Sequence, residues 1–162
     1  MVVRFQVSFD AADTQRLAAF WREALGYQDQ RPPEGYASWE DWARAVGIPE
    51  EAWNDTAALV DPEGVLPRLF IQRVPEPKTA KNRVHLDLSV SGGREVPFED
   101  RRPKVDAAVE RLIGLGATKV RANDEPDQYW VVMQDPEGND PERPSTTELT
   151  PDYTHPQYHE CV

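Results

Sequence analysis

The tetrapeptide Asp-Pro-Glu-Gly occurs twice, at 61–64 and at 135–138, and the segments leading up to each copy follow one plan. Each copy reads as a tight turn: Asp bonds its own following backbone, Pro presets φ, and Gly tolerates positive φ. In the first half the order is a strand candidate at 2–9, a helical stretch, Leu25-Gly26, a strand or turn at 27–30, and two further strand candidates, "TAALVDP" and "PRLFIQRV". In the second half it is a strand candidate at 83–90, a helix with Pro103 near its start, "GLGA", "TKVRA" and "QYWVVMQ". The two turns lie 74 residues apart, and Gln6 and His85 lie 79 apart. Near-equal offsets blurred by loop insertions are what a duplicated βαβββ unit leaves behind.

Local signals agree with that plan. At 2–9, Val3, Phe5, Val7 and Phe9 alternate with Arg4, Gln6 and Ser8, the period of a half-buried strand. Asp13 is placed to cap a helix in which Leu17, Phe20, Trp21, Ala24 and Leu25 recur at helical spacing, and Gly26 suits the left-handed position that closes it. In the second helix Val105, Ala108, Val109 and Leu112 mark the buried stripe. On 83–90, Val84, Leu86, Leu88 and Val90 fall on one face, and His85, Asp87 and Ser89 on the other.

The halves differ in two places. The first carries an excursion, 31–55, with Trp39, Trp42 and Trp53. Ser38 caps a short helix there, "WEDWARAV", with Trp39, Trp42 and Val46 on one stripe. That stripe reads either as a satellite cluster packed under a long loop or as an aromatic lid over a ligand. The second half lacks an obvious closing strand after its turn, because "DPERPSTTELTPDYTHPQYHECV" is rich in Pro. A displaced strand at "STTELT" or "QYHECV", or an irregular tail over 140–162, are the alternatives.

Composition removes several classes of function. Twenty-nine acidic against eighteen basic residues give a net charge of -11, which repels phosphate backbones and excludes nucleic acid as a partner. The mean hydropathy of -0.69 excludes a membrane protein. A single cysteine, Cys161, excludes an intramolecular disulfide framework. With no basic and apolar leader ahead of "VVRFQVSFD", a cytoplasmic location is expected.

The stretches "FDAADTQRLAAFWREALGY", "PRLFIQRVPEPKTAKNRVHLDL" and "YWVVMQDPEGN" together resemble the glyoxalase-like domains of the vicinal oxygen chelate superfamily, over roughly 3–139. The resemblance implies an α+β fold, two βαβββ modules forming a curled mixed sheet around one cleft, and a homodimer. One domain then spans 1–162, with module one at about 1–77, module two at about 81–139 and an irregular tail at 140–162. In metal-dependent members one divalent ion sits in the cleft, held by side chains from the first and last strands of each module. Carried over position by position, these are Gln6, then Gln72 or Phe70, then His85, then Glu148 or Glu160. Zn, Ni, Mn or Fe are the implied ions. Gln6, Gln72 and His85 bring no negative charge to offset such an ion, so a cleft without metal is the competing reading.

Asp87, two residues from His85, is the candidate catalytic base or substitute ligand. Gln72, Tyr129, Trp130 and Trp42 are the candidate cleft residues, and Arg4 and Arg83 sit on strands that should border the cleft. His155 and His159 are spaced as a helical metal pair, but Pro156 disfavours a helix there. Two functions follow: metal-assisted lyase or isomerase chemistry on a small molecule, or metal-free binding and sequestration of one, as resistance proteins of this superfamily do.

Overall fold

In the computed structural model, residues 3–79, 82, 84–93, 95–126 and 128–137 are described, together with the backbone of 147–149. The chain forms two compact units, Met1–Pro77 and Lys78–Val162. Each is a mixture of helices and curled, unclosed sheets, so the chain is α+β.

The first unit is a complete βαβββ module. Strands β1 (Gln6–Ala11), β2 (Gln28–Asp29), β3 (Thr56–Val60) and β4 (Arg68–Arg73) form a sheet in the order β1-β4-β3-β2. Strands β1 and β4 run parallel, and the other pairs are antiparallel. The crossover that a parallel pair demands is supplied by helix α1 (Thr14–Leu25) and the segments after it. Asp13, in extended conformation, accepts the Arg16 amide and starts α1, and Gly26, at φ 70°, stops it as the sequence predicts.

Helix α1 buries Leu17, Ala18, Phe20, Trp21 and Ala24 against the sheet face that carries Leu59, Leu69 and Ile71. Trp21 is the centre of this core, 1% exposed, stacked on Phe9 at 5.3 Å and edge-on to Phe20 at 5.2 Å. Burying a ring of that size removes roughly 200 Å² from water, worth about 5 kcal/mol before ordering costs. The arrangement leaves the Trp21 Nε1 donor without an acceptor among the described residues.

Excursion 31–55 folds into helix α2 (Trp39–Val46) and a 3-10 turn at Glu50–Ala52. Ser38 caps α2 through the Asp41 amide, and Gly47, at φ 78°, ends it. The stripe differs from the expected one: Ala43 is the buried residue, whereas Val46 is 51% exposed.

In the second unit, helix α3 (Phe98–Gly114) packs Val105, Val109 and Leu112 onto a three-stranded antiparallel sheet. The strands are β5 (Thr118–Glu125), β6 (Gln128–Gln134) and β7 (Thr147–Leu149), in that order. Pro103 lies within α3, near its start, five residues after Phe98. It removes one i→i−4 bond, while Glu99 and Asp100 in the first turn favour the helix dipole. The displaced closing strand is thus β7, within "STTELT". The strand expected at 83–90 is not seen as one: residues 84–90 join no ladder among the described residues. In the first unit the equivalent strand is held by β4, three residues past its turn. Eight residues, including Pro141 and Pro144, separate Gly138 from β7, which pairs with β6 over three positions only.

Candidate functional site

Alternation along the strands of the first unit sends two sets of side chains to opposite faces. Val7, Phe9, Leu69, Ile71 and Leu59 meet α1, while Gln6, Ser8, Asp10, Arg68, Phe70, Gln72, Thr56 and Ala58 share the other face. The tryptophan excursion lies over part of that second face and encloses a pocket of about 490 Å³. Trp39, Trp42, Trp53, Ile48 and Phe70 line it together with Arg68, Gln30 and three carboxylates, Asp29, Glu40 and Glu50.

The excursion is tied down by bonds that its aromatic residues make. Trp39 Nε1 donates to the Gln30 carbonyl at 2.7 Å, and Trp53 Nε1 to the Ile48 carbonyl at 2.9 Å. Trp39 and Trp42 meet edge to face at 5.4 Å, and the Arg44 guanidinium lies 5.1 Å over the Trp53 ring. At the far end, buried Thr14 donates to the Asn54 carbonyl at 2.6 Å, and Arg73 pairs with Asp55 at 3.2 Å. The tryptophans are therefore both a packed cluster and the wall of a pocket, which joins the two readings of the stripe.

Arg68 forms the polar end of the pocket. Its Nε donates to Gln30 Oε1 and its Nη1 to Gln6 Oε1, each at 2.5 Å, and its guanidinium stands 5.0 Å from the Phe70 ring centroid. Both acceptors are neutral amides, and no carboxylate pairs with Arg68 among the described residues. Sequence reasoning passed over Arg68 and Gln30. The signal was available: in "PRLFIQRV" Arg68 stands in phase with Phe70 and Gln72, so a period of two puts all three on one face.

Of the residues singled out as ligands, Gln6 opens β1 and is exposed, with its oxygen held by Arg68 and its amide 3.3 Å from Ser8 Oγ. Gln72 donates to Asp10 Oδ1 at 2.8 Å. Gln6 pairs in register with Arg68, and Asp10 with Gln72, so the two glutamines stand four positions apart, about 13 Å along the sheet. The structure does not bring them together. His85 is half-buried in the second unit. Asp87 is half-buried too, and its Oδ1 is shielded from water without a hydrogen-bond partner among the described residues. Glu148 pairs by backbone with Val132, and its side chain, like Arg83, His155, His159 and Glu160, lies outside the described residues. Among the described residues no three His, Cys, Asp or Glu side chains gather as a metal site would require.

Tyr129 and Trp130, both expected at a cleft, occupy opposite faces of β6. Tyr129 is buried against α3, where its hydroxyl donates to Asp106 Oδ1 at 2.6 Å and the Arg102 guanidinium lies over its ring, 4.6 Å from the centroid. Burial first, and then the Asp106 carboxylate, push its pKa up to about 12. Tyr129 is thus a helix-to-sheet tie, because alternation turns its ring toward α3. Trp130 is half-buried on the other face, and Trp42 lines the pocket of the first unit.

Among the described residues no helix is long and apolar enough to cross a membrane. No curated protein matches the sequence. Among solved structures, the chain is similar to the genomically encoded fosfomycin resistance protein FosX from Listeria monocytogenes. The two are 11% identical, with 96% of this chain and 97% of that one covered and a TM-score of 0.57. A mutant of that Listeria protein, complexed with Mn(II) and 1S,2S-dihydroxypropylphosphonic acid, aligns at 12% identity, 94% and 92% coverage and TM-score 0.55. A glyoxalase/bleomycin resistance protein/dioxygenase family enzyme from Burkholderia phytofirmans PsJN aligns at 16% identity, 92% and 97% coverage and TM-score 0.55. At such identities the likeness carries the fold and leaves the chemistry to the residues. The model of the glyoxalase-like domain matches residues 6–141, and this chain belongs to that family.

Proposed function

We propose that this glyoxalase-like domain binds and sequesters a small organic molecule in the aromatic pocket of its first module, without a metal ion. The observation that supports this reading is the pocket itself: about 490 Å³, walled by three tryptophans and Phe70, with Arg68 and Gln30 as its polar end. Its volume is that of a small-molecule site, and its aromatic walls share the lining with polar groups, Arg68, Gln30 and the carboxylates of Asp29, Glu40 and Glu50 among them.

The residues fit a divalent ion poorly. The oxygen that Gln6 would offer is already bonded to a guanidinium, so an ion there would face a positive charge. Two like unit charges about 4 Å apart repel by roughly 4 kcal/mol at an effective dielectric of 20, and a divalent ion would double that. The working form of this reading is a cytoplasmic homodimer, whose stoichiometry light scattering checks.

The test is a thermal-shift and tryptophan-fluorescence screen of aromatic compounds in the presence of EDTA. A ligand at about a hundred times its Kd should add roughly 2.7 kcal/mol of stability, be recovered intact, and lose affinity in Trp42→Ala. A strict requirement for added metal, or rapid conversion of the ligand, would sink the proposal.

A second reading rests on Asp87. A shielded carboxylate oxygen with no partner costs roughly 1–3 kcal/mol, and that cost is offset if the oxygen accepts a proton from a substrate. In that case the protein is an enzyme with Asp87 as base and His85 beside it. Asp87→Asn then abolishes turnover of any compound the screen finds converted, while leaving its binding intact.

A further inference from the structure

Resting on the pocket reading above, we infer that the molecule held there is an anion, a carboxylate in the simplest case. Its charged group would seat on Arg68 and its flat apolar body against Phe70 and the tryptophans. The argument is a comparison of the charged groups that line the pocket: Arg68, Asp29, Glu40 and Glu50.

The three carboxylates each have another role, and all are exposed. Asp29 is ion-paired with Arg22 at 2.9 Å. Glu40 lies in the first turn of α2, where backbone bonding and then the Ser38 hydroxyl lower its pKa, so it serves the helix start. Glu50 opens the 3-10 turn. Arg68, by contrast, is half-buried, and among the described residues its charge meets two neutral amide oxygens and the Phe70 ring but no carboxylate. Those two bonds use two of its five N–H donors and hold the guanidinium plane in place without neutralising it. A fixed, half-desolvated guanidinium with donors to spare is suited to a planar carboxylate, and Gln6 and Gln30 have already met the entropy cost of orienting it. The neighbouring aromatic faces favour a flat body over a branched one.

Three probes of one shape separate the possibilities: 2-naphthoate, 2-naphthamide and 2-naphthylmethylammonium, titrated by quenching of tryptophan fluorescence with EDTA present. A charge-assisted contact should make 2-naphthoate bind about ten-fold more tightly than the neutral amide. Arg68→Gln should erase that preference, and an unchanged melting temperature and near-UV spectrum of the variant report that the pocket is intact. Arg68→Lys should keep the anion ahead by a smaller margin. Equal affinity for acid and amide, tighter binding of the ammonium compound, or a preference that survives Arg68→Gln would overturn the inference and leave the pocket reading standing. Failure of all three probes to bind would overturn both.

Discussion

The two modules begin from one plan and diverge where each sheet must close. In the first, the closing strand β4 follows its Asp-Pro-Glu-Gly turn closely, pairs with β1 along six residues and completes a four-stranded sheet. In the second, closure is delayed past two prolines, and β7 meets β6 over three residues, leaving 84–90 outside any described ladder. The tryptophans are divided just as unevenly: Trp21, Trp39, Trp42 and Trp53 lie in the first module, and Trp130 alone in the second. A duplicated scaffold thus has one half built around large rings that both pack the core and wall a pocket. The other half is built on an aliphatic helix stripe, with polar ties such as Tyr129 to Asp106.

That contrast can be broken by mutation. The largest expected effect is Trp21→Ala, which should cost about 3–5 kcal/mol, against roughly 2 kcal/mol for Val109→Ala at the matching helix face of the second module. Urea denaturation of both variants measures the difference, and equal losses would refute an aromatic-centred first module. Tyr129→Phe should cost about 1 kcal/mol through its lost bond to Asp106. The same tyrosine fixes an alkaline limit. Its pKa is raised, so its contribution is complete below the ordinary value of 10.0 and disappears as pH climbs toward about 12. Wild type and Tyr129→Phe should therefore converge in stability over that interval.

Ser38→Ala removes the cap of α2 and should cost about 1 kcal/mol or less, since the helix is short and peripheral. Its sharper readout is binding: fluorescence titration should show a weaker pocket, while the far-UV signal of the core stays unchanged. The smallest effect concerns the first turn. Asp61 accepts the amides of Glu63, Val65 and Leu66, and these bonds, that of Leu66 foremost, hold its carboxyl below its usual 3.8. The anion's contribution is then complete above that value and fades as pH falls through the lower folded value. Asp61→Ala should lower Tm near neutrality by an amount that shrinks in acid. A deficit independent of pH would assign the effect to backbone freedom instead.

Much of the scaffold was legible because its signals are local. Asp13, Gly26, Ser38 and Gly47 each act within a few residues, and the caps fall where the residue types put them. Strand alternation over Val7, Phe9, Leu69 and Ile71 likewise needs only a period of two. The site was less legible, because a side chain's partner across a sheet is not written in its neighbourhood. Gln6 reads as a free amide until β4 is laid beside it and Arg68 takes its oxygen. Tyr129 reads as a cleft residue until the register turns it toward α3 and Trp130 away.

By itself, then, the sequence determined the family, the repeated turns, the capped helices and the hydrophobic faces, all properties of short segments and their order. Only the tertiary structure decided that the excursion would close a pocket over the β1–β4 face, and that an arginine bonded to two neutral amides would stand at its end. The reason is physical. Backbone preferences and burial periods are set within a turn or a strand, whereas the charge state of a pocket depends on residues tens of positions apart being brought within a hydrogen bond of one another.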